Sequence, residues 1–289
     1  MTSREALDLL DRALAEDVGP GDLTTEALIA PDRTASARLV AREELVLAGL
    51  PLALSAFRGF DPGVEVRGAA AEGALLAPGE DVARLRGKAR ALLTAERSAL
   101  NLLQRLSGIA TAARRAVEAV RGTRTRVLDT RKTAPGLRRL EKYAAAVGGA
   151  TNHRMGLHDA VLIKDNHLAL LAGERMPVAA AVARSRAGVP PGTTVEVELD
   201  SLDRLEEAFV AGPDAILLDN FSPQACAEAV RRRDAHAARG GRRIFLEASG
   251  GIRPDTVRLW AEAGVDGVSL GWITHSARAA DIALDFEPC

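Results

Sequence analysis

The stretch GLHDAVLIKDNH, residues 156–167, carries four apolar residues at positions 160–163 and runs directly into the polar sequence KDNH. A short apolar run of this kind is typical of a strand that is buried on both faces. Charge immediately after such a run indicates that the strand ends at an open rim, and this places Lys164 at the mouth of a sheet or barrel.

Similar apolar runs recur through the second half of the chain, each followed by a loop or a helical pattern. They are RVLDT, AVLIKD, VEVELD, AILLDN, IFLEASG and GVSLG, and TNHR at residues 151–154 is one more candidate strand. The alternation predicts βα units around a parallel sheet of about seven strands, as an α/β barrel or an open doubly wound sheet. The chain contains neither a GxGxxG motif nor a P-loop sequence that would favour a familiar nucleotide fold.

The first third of the chain has a different sequence pattern. Thr2 and Glu5 have the spacing of a capping box, and the sequence GPG at 19–21 ends the helix that they begin. From residue 35 to about residue 85 the pattern changes to short β-like runs punctuated by glycine and proline. This part of the chain is expected to form an α+β segment.

A long helical pattern over residues 85–122 connects the N-terminal α+β segment to the βα units of the second half. We expect it to break near Gly108, because glycine is unfavourable inside a helix. The predicted division is an N-terminal α/β sandwich domain over 1–110, with 276–289 packing back on it, and an α/β barrel domain over 111–275.

Composition excludes several classes of protein. The 289 residues carry 38 Lys and Arg against 39 Asp and Glu, so no global field favours nucleic acid or an anionic membrane. The longest uncharged apolar stretch, 45–57, is too short to span a bilayer, and charges at residues 4–11 argue against a signal peptide, so a cytoplasmic protein is expected. Cys226 and Cys289 indicate neither a zinc site nor a disulfide framework.

Charged residues at the predicted strand ends segregate by sign. Cations follow the early strands at Arg131, Lys132, Arg154 and Lys164, and carboxylates follow later strands at Glu198 and Asp219. Cations that converge on one mouth repel each other unless an anion lies among them, so a strongly anionic ligand is predicted. The carboxylates can hold Mg²⁺ on a pyrophosphate or contact ribose hydroxyls, and the turns in ASGGI and SLGW can approach a phosphate.

Ordinary structural roles compete with each of these interpretations. A single strand-end cation is as often a solvated loop residue as a ligand-binding one. Glu196 shares a strand face with Glu198 and can belong to an interior ion-pair layer, so we favour Glu198, which lies nearer the rim, as the site carboxylate. On sequence grounds alone His153 is better explained as a structural histidine than as a proton donor.

Longer motifs carry a resemblance to a known family. They are EDVGPGDLTTEALI, ERSALNLLQRLSGIAT, DTRKTAPGLR, GGATNHRMGLHDAVLIKDNH, VEVELDSLDRLEEA, AILLDN, LEASGGI and GVSLGWITHS. In order, and over nearly the whole chain, they resemble the quinolinate phosphoribosyltransferases, which are carboxylating nicotinate-nucleotide pyrophosphorylases. The resemblance implies a seven-stranded open α/β barrel with an N-terminal α/β sandwich domain, assembled as a homodimer or a higher homo-oligomer.

The same resemblance implies an activity. Such a glycosyltransferase moves phosphoribose from phosphoribosyl pyrophosphate to quinolinate with Mg²⁺. It releases pyrophosphate and CO₂ and gives nicotinate mononucleotide for NAD synthesis.

Site residues carry over by position. The implied substrate-binding set is Arg97, Thr130, Arg131, Lys132, His153, Arg154, Lys164, Glu198, Asp219, Ser249, Gly250, Gly251, Leu270, Gly271, Trp272 and His275. Arg97 is expected from the neighbouring subunit, and Trp272 stands where a smaller residue is expected. Glu198 and Asp219 are the implied metal ligands and, with Lys132, the implied catalytic residues; Lys132 is the candidate for steering or protonating the decarboxylation.

Three alternatives stay open. One is a paralogue of the same fold from molybdate-transport operons, with a different substrate, against which the intact TRK, NHR and LIKDNH motifs argue. A second is an aldolase or epimerase barrel that uses Lys164 as a Schiff-base nucleophile, which would not need Arg97, Arg131 and Arg154. The third is a non-enzymatic anion-binding or scaffold protein, which predicts ligand binding without turnover.

Overall fold

The structure, a computed structural model, describes residues 3–171, 173 and 175–287. The helices are α1 (Arg4–Val18), α2 (Leu23–Leu28), α3 (Leu50–Phe60), α4 (Ala89–Ala119), α5 (Arg138–Val147), α6 (Asp165–Leu170), α7 (Pro177–Gly188), α8 (Leu205–Ala211), α9 (Pro223–Ala238), α10 (Arg258–Glu262) and α11 (Trp272–His275). The strands are β1 (Thr34–Ala41), β2 (Leu45–Val46), β3 (Glu65–Arg67), β4 (Leu75–Leu76), β5 (Asp81–Lys88), β6 (Arg126–Leu128), β7 (Val161–Ile163), β8 (Val195–Leu199), β9 (Ala215–Asp219), β10 (Phe245–Ser249), β11 (Gly267–Ser269) and β12 (Ile282–Phe286).

The chain divides into two compact units. The first comprises Met1–Arg114, Arg139–Gly149 and Ala277–Cys289, and the second comprises Arg115–Arg138 and Ala150–Ser276. These limits differ from the expected continuous domains because nearly all of helix α5, which interrupts the barrel sequence, groups with the first unit.

An antiparallel sheet forms the centre of the first unit, with strand order β12-β1-β5-β3. The C-terminal strand β12 pairs antiparallel with β1, from Ala37 opposite Phe286 to Ala41 opposite Ile282. Alternate residues of β1, such as Ala37 and Leu39, are buried, as expected for a sheet that packs on one face.

Helix α1 begins with a cap that differs from the predicted one. Ser3 is the N-cap residue, and its hydroxyl accepts a hydrogen bond from the backbone N–H of Ala6 at 3.4 Å. Serine at this position satisfies one of the N–H groups that a helix start leaves without an intrahelical partner. The predicted cap, Thr2, lies outside the described residues, as does Cys289.

Helix α4 is continuous, so the break predicted near Gly108 is wrong. A methyl group at Gly108 would lie 2.0 Å from the carbonyl oxygen of Arg278. The backbone N–H of Ala280 donates to the carbonyl of Gln104 at 2.9 Å, in the same region of the first unit. Gly108 therefore permits the close approach of two backbones and does not end the helix.

A parallel sheet forms the second unit, with strand order β6-β11-β10-β9-β8-β7. Strands β8, β9 and β10 are almost entirely buried, which explains the nearly continuous apolar sequence of β9. Cys226 is also fully buried, on helix α9. None of the helices in the described part of the chain combines the length and hydropathy needed to cross a membrane.

The seventh predicted strand, TNHR, is reduced to one residue. Thr151 forms a parallel bridge with Leu128 of β6. The buried carboxylate of Asp129 then accepts from the side chain of Asn152 at 2.6 Å and from the backbone N–H of His153 at 2.8 Å, which turns the chain inward. The described sheet thus has six strands and one bridge instead of seven full strands.

The sheet is curved into a barrel. Thr151 and β8 stand five strand positions apart, which in a flat sheet corresponds to about 24 Å. Yet His153 Nε2, two residues after Thr151, lies 3.1 Å from Glu196 Oε2 on β8. In the described residues no strand pairing joins the Thr151 segment to β7, so the barrel is open along that edge.

Candidate active site

The inner face of the barrel carries two layers of side chains. Residues two apart on a strand point to the same side, so each strand that reaches the rim also contributes a residue one layer below. The rim residues are Lys164, Glu198, Asp219 and Ser249, and the floor residues are Leu162, Glu196, Leu217, Glu247 and Ser269. Both layers belong to the second unit.

A cavity of about 460 Å³ opens above the floor residues. The predicted residues that line it are Thr130, Arg131, Lys132, His153, Arg154, Lys164, Glu198, Asp219, Ser249, Gly250 and Gly251. Segments far apart in the sequence are therefore brought to one site.

The other predicted site residues have different positions. Arg97 is exposed on α4 in the first unit, and Leu270 is buried behind the rim. Trp272 is half-buried at the start of α11, and His275 is exposed at its end. None of these four is among the described residues that line the cavity.

Gly271 has a packing role beside the cavity. A methyl group there would lie 2.9 Å from Lys132 Cδ and 3.1 Å from the His275 ring. The carbonyl of Lys132 also accepts a hydrogen bond from the Thr274 hydroxyl at 2.8 Å. Gly271 thus allows α11 to pack against the segment that carries Lys132.

Four cations meet at this cavity, as the segregated strand ends predicted. Burial, and then the charge of Arg131, lower the pKa of the Arg154 guanidinium below its usual range. The Nε of Arg131 is buried and makes no hydrogen bond within the described residues. Two unit charges at 4 Å repel by about 4 kcal/mol at an effective dielectric constant near 20, so an anion is the expected counterpart of this arrangement.

Arg154 also spans the open edge of the barrel. Its Nη1 donates to the carbonyl of Ala160, directly before β7, at 3.1 Å. This hydrogen bond connects the Thr151 segment to β7 where backbone pairing is missing. The guanidinium is consequently fixed at the cavity wall by a neutral partner and keeps donors available for an anion.

Lys164 explains why an apolar strand ends in charge. Its Nζ lies 2.7 Å from Glu198 Oε2 on the neighbouring strand. Its backbone N–H donates to His167 Nδ1 at 2.8 Å, so His167 folds back onto the start of α6. The KDNH sequence is therefore a strand end, a rim cation and a helix start in immediate succession.

A tight turn follows β10 at Ser249, Gly250 and Gly251. Gly250 has φ +102°, and a methyl group on it would lie 2.2 Å from Asn220 Oδ1. Asn220 has φ +58°, and its backbone N–H donates to the Ser249 carbonyl at 2.8 Å. Asparagine tolerates this left-handed conformation better than most residues. Asn220 lines the cavity and had been given no role; its position after AILLD was the available signal.

Three ionisable groups meet at the floor: His153, Glu196 and Glu247. Their ligand atoms all lie within 4.8 Å of one another, and His153 Nε2 is 3.6 Å from Glu247 Oε1. Glu196 is 5% exposed and Glu247 is 2% exposed. Burial, and then the charge of Glu196, raise the pKa of Glu247 to about 8.

Hydrogen bonds fix the tautomer of His153. Its Nδ1 accepts from the backbone N–H of Arg154 at 2.7 Å, so the neutral ring carries its proton on Nε2 and donates it to Glu196. Sequence reasoning gave Glu247 no role. The only available signal was its position two residues before Ser249 on the same strand face.

Comparison with known proteins decides the family. Two profiles match the chain: "Quinolinate phosphoribosyl transferase, C-terminal domain" over residues 109–285, and the corresponding N-terminal domain over residues 22–107. The chain belongs to the quinolinate phosphoribosyl transferase family. Together the matches extend over both units, and they adjoin within helix α4.

Individual members of the quinolinate phosphoribosyl transferase family are similar over nearly the full length. The carboxylating nicotinate-nucleotide pyrophosphorylase of Mycobacterium leprae is 43% identical over 284 residues, covering 97% of this chain and 96% of the relative. That of Oryza sativa is 36% identical, covering 96% and 77%. The solved nicotinate-nucleotide pyrophosphorylase from Francisella tularensis superposes with a TM-score of 0.89 at 36% identity, covering 98% and 96%.

Proposed function

We propose that the protein transfers phosphoribose from phosphoribosyl pyrophosphate to quinolinate, with loss of one carboxylate as CO₂. The products are nicotinate mononucleotide and pyrophosphate, a step of de novo NAD synthesis. The observation that carries this proposal is the convergence of Arg131, Lys132, Arg154 and Lys164 on one cavity. Both substrates are polyanions, the matching family profiles are named for quinolinate phosphoribosyl transferase, and a relative that matches almost the whole chain is named a carboxylating nicotinate-nucleotide pyrophosphorylase.

Quinolinate binds on the arginine side in this proposal. Arg131 and Arg154 present planar donors that suit two adjacent carboxylates, and the buried Nε of Arg131 gains the partner that it lacks. Thr130 and His153 complete the wall beside them. Lys132 and Lys164 lie between the ring and the phosphates, where point charges on flexible side chains are useful for both.

The phosphorylated sugar binds on the opposite side, at Glu198, Asp219 and the turn after β10. Gly250 and Gly251 expose backbone N–H groups to a phosphate, and Ser249 adds a hydroxyl. The pyridine nitrogen then attacks the anomeric carbon as pyrophosphate leaves. Carboxylates near that carbon stabilise the oxocarbenium-like charge of the transition state.

Decarboxylation follows from the same chemistry. Alkylation converts the pyridine into a pyridinium cation, which can hold the electron pair left on the ring carbon when the adjacent carboxylate departs as CO₂. Binding geometry therefore prepares both steps in a single cavity.

Mg²⁺ is the proposed metal, bound with the pyrophosphate group. This ion typically uses one or two carboxylates together with phosphate oxygens and water, so the donors at the rim fit it. Glu198 is paired with the Lys164 cation at 2.7 Å, whereas Asp219 Oδ2 accepts from the neutral Asn220 amide at 2.7 Å, so Asp219 is the carboxylate better placed to bind the metal. When bound, the ion neutralises charge on the leaving group.

Arg97 is the proposed contribution of a second copy of the chain. It is exposed on α4 and is absent from the described residues that line the cavity of its own chain. A homodimer that presents Arg97 to the neighbouring cavity would add a third arginine to the dicarboxylate pocket.

A Schiff-base mechanism at Lys164 is the second candidate, and the structure gives it little support. Lys164 Nζ is held in an ion pair with Glu198, and such a mechanism leaves the pair of arginines without a role. A scaffold function likewise does not require the floor cluster.

The deciding experiment is a product assay with quinolinate, phosphoribosyl pyrophosphate and Mg²⁺, with nicotinate and nicotinamide as controls. We expect quinolinate-dependent release of equal amounts of pyrophosphate and CO₂, and no turnover of nicotinate or nicotinamide. Turnover of nicotinate, or binding of both substrates without turnover, would overturn the proposal.

A further inference from the structure

The two carboxylates of the floor cluster have no role in the transfer step, yet the cluster is built at considerable electrostatic cost. Glu196 and Glu247, which have almost no exposure to water, lie together with the half-buried His153. One oxygen of each carboxylate, Glu196 Oε1 and Glu247 Oε1, makes no hydrogen bond within the described residues. A buried, unsatisfied polar atom is unfavourable, so its retention points to a function.

We propose that Glu247 is the general acid that protonates the ring carbon from which CO₂ has departed, and that Glu196 and His153 position it. This inference rests on the proposed function and assigns a residue to its final step.

Chemical balance requires such a donor. When the bond between the ring carbon and the departing carboxylate breaks, its electron pair remains on the ring carbon. That pair then takes the proton of the neutral Glu247 carboxyl group and forms a C–H bond, leaving Glu247 as a carboxylate. One proton is consumed per turnover, and water replaces it after the product leaves the open cavity.

Geometry supports Glu247 over its neighbours. Both glutamates lie on the floor, but Glu247 lines the cavity and Glu196 does not. Arg131 and Arg154 cannot act as acids near neutral pH, because a guanidinium does not release its proton in that range. Lys164 is engaged with Glu198 at the rim, and Lys132 is exposed there.

The two positioning residues account for the protonated form of Glu247. His153 donates from Nε2 to Glu196 and thereby orients that carboxylate beside Glu247. Burial, and then the charge of Glu196, disfavour the ionised form of Glu247. A carboxyl group that remains protonated near pH 7 is suited to donate at that pH.

Rapid-quench single turnovers can separate the steps, by measuring pyrophosphate release and CO₂ release independently. In E247Q we expect pyrophosphate release within about threefold of the wild type. Formation of nicotinate mononucleotide should fall at least tenfold, and the dicarboxylate nucleotide should accumulate. E247D should recover part of the loss, and E206Q, an exposed glutamate on α8, serves as the matched control.

Other outcomes would overturn the assignment. Equal losses of pyrophosphate and CO₂ release in E247Q, no loss in either, or a selective CO₂ defect in K132Q and not in E247Q would each do so. Binding of one Zn²⁺ per chain that disappears in E247Q would make the cluster a metal site instead. A wild-type protein that releases no pyrophosphate with quinolinate would refute the proposed function itself.

If E247Q does not fold, the wild-type protein still decides the question. CO₂ release in single turnovers should decline above about pH 8 while pyrophosphate release does not, and parallel pH profiles would contradict the role of Glu247.

Discussion

Lys164 Nζ lies 2.7 Å from Glu198 Oε2, so a cation directly after β7 and a carboxylate near the end of the neighbouring β8 neutralise each other at the rim of the barrel. The Lys164 side chain is 45% exposed and that of Glu198 is 13% exposed. Such a pair holds a cation at a fixed place beside two arginines without filling the cavity. It also makes the position of Lys164 dependent on Glu198.

Removal of this carboxylate should therefore affect the binding of one substrate more than the other. In E198Q, Lys164 loses its counter-charge and its fixed position between ring and phosphates. We expect kcat/KM for phosphoribosyl pyrophosphate to fall by about tenfold to a hundredfold, equivalent to about 1.4–2.8 kcal/mol, with a smaller change in KM for quinolinate. Steady-state kinetics at saturating concentrations of the other substrate measure both, with E206Q as control. An unchanged kcat/KM would show that the ion pair is unimportant.

Removal of the Arg131 side chain is expected to weaken the binding of quinolinate more than that of phosphoribosyl pyrophosphate, the reverse of the effect expected for E198Q. Its buried, unpartnered Nε suits a carboxylate of quinolinate. R131A should weaken quinolinate binding by about a hundredfold, or about 2.7 kcal/mol, and phosphoribosyl pyrophosphate binding by less than about fivefold. Titration calorimetry with each substrate alone gives the two values. R204A, at an exposed arginine of the same unit, is the control, and equal losses for both substrates would contradict the assigned side of the cavity.

The residues at the rim of the barrel could be predicted from the sequence because they interrupt apolar runs. Lys164 and Asp219 are visible in the sequence as charges directly after a strand. Glu247 is not, because a glutamate inside a strand has the same sequence signature whether it faces solvent or a buried partner. The role of Glu247 depends on His153 and Glu196, which belong to other segments of the chain and approach it only because the sheet is curved.

Similar reasons explain the errors in the fold. Gly108 was expected to break a helix because its propensity is local, whereas the backbone that it admits comes from residue 278. The TNHR segment has the composition of a short strand. The backbone N–H of His153 instead donates to the buried carboxylate of Asp129, so the strand pairing ends after one residue. Alternation of apolar runs predicted the parallel sheet well, since that pattern is set by burial along each strand and not by distant contacts.

The turn after β10 offers a matched pair of glycines. G250A places a methyl group 2.2 Å from Asn220 Oδ1 at φ +102°, whereas a methyl group at Gly251, with φ +61°, meets nothing within 4 Å. We expect G250A to raise KM for phosphoribosyl pyrophosphate at least tenfold and to lower the Tm. G251A should bear only the left-handed strain, about 1–2 kcal/mol. Kinetics and thermal unfolding of both variants test this, and identical effects would show that contact with Asn220 is irrelevant.

Sharing of sites between subunits is testable by mixing. R97A and K164A should each be inactive, if Arg97 enters the neighbouring cavity. Random exchange would make half of the dimers hybrid, each with one intact site, so a 1:1 mixture should regain about a quarter of wild-type activity. Mixing R97A with R131A gives a second pair with the same expectation. No recovery after verified subunit exchange would place Arg97 outside the shared site.

Stability should report the protonation of Glu247 independently of catalysis. Its pKa in the folded protein is raised to about 8 from its ordinary value of 4.5, so between these values the folded state binds a proton that the unfolded state has released. The contribution of this group is complete below about pH 4.5 and is lost as pH rises through about 8, so the free energy of unfolding should decrease across that window. In E247Q this component is absent, and the decrease between pH 5 and pH 8.5 should be smaller than in the wild type. Urea unfolding at both pH values measures the difference, with E206Q as control. Equal decreases in wild type and E247Q would mean that Glu247 is ionised in the folded protein and cannot donate the proton.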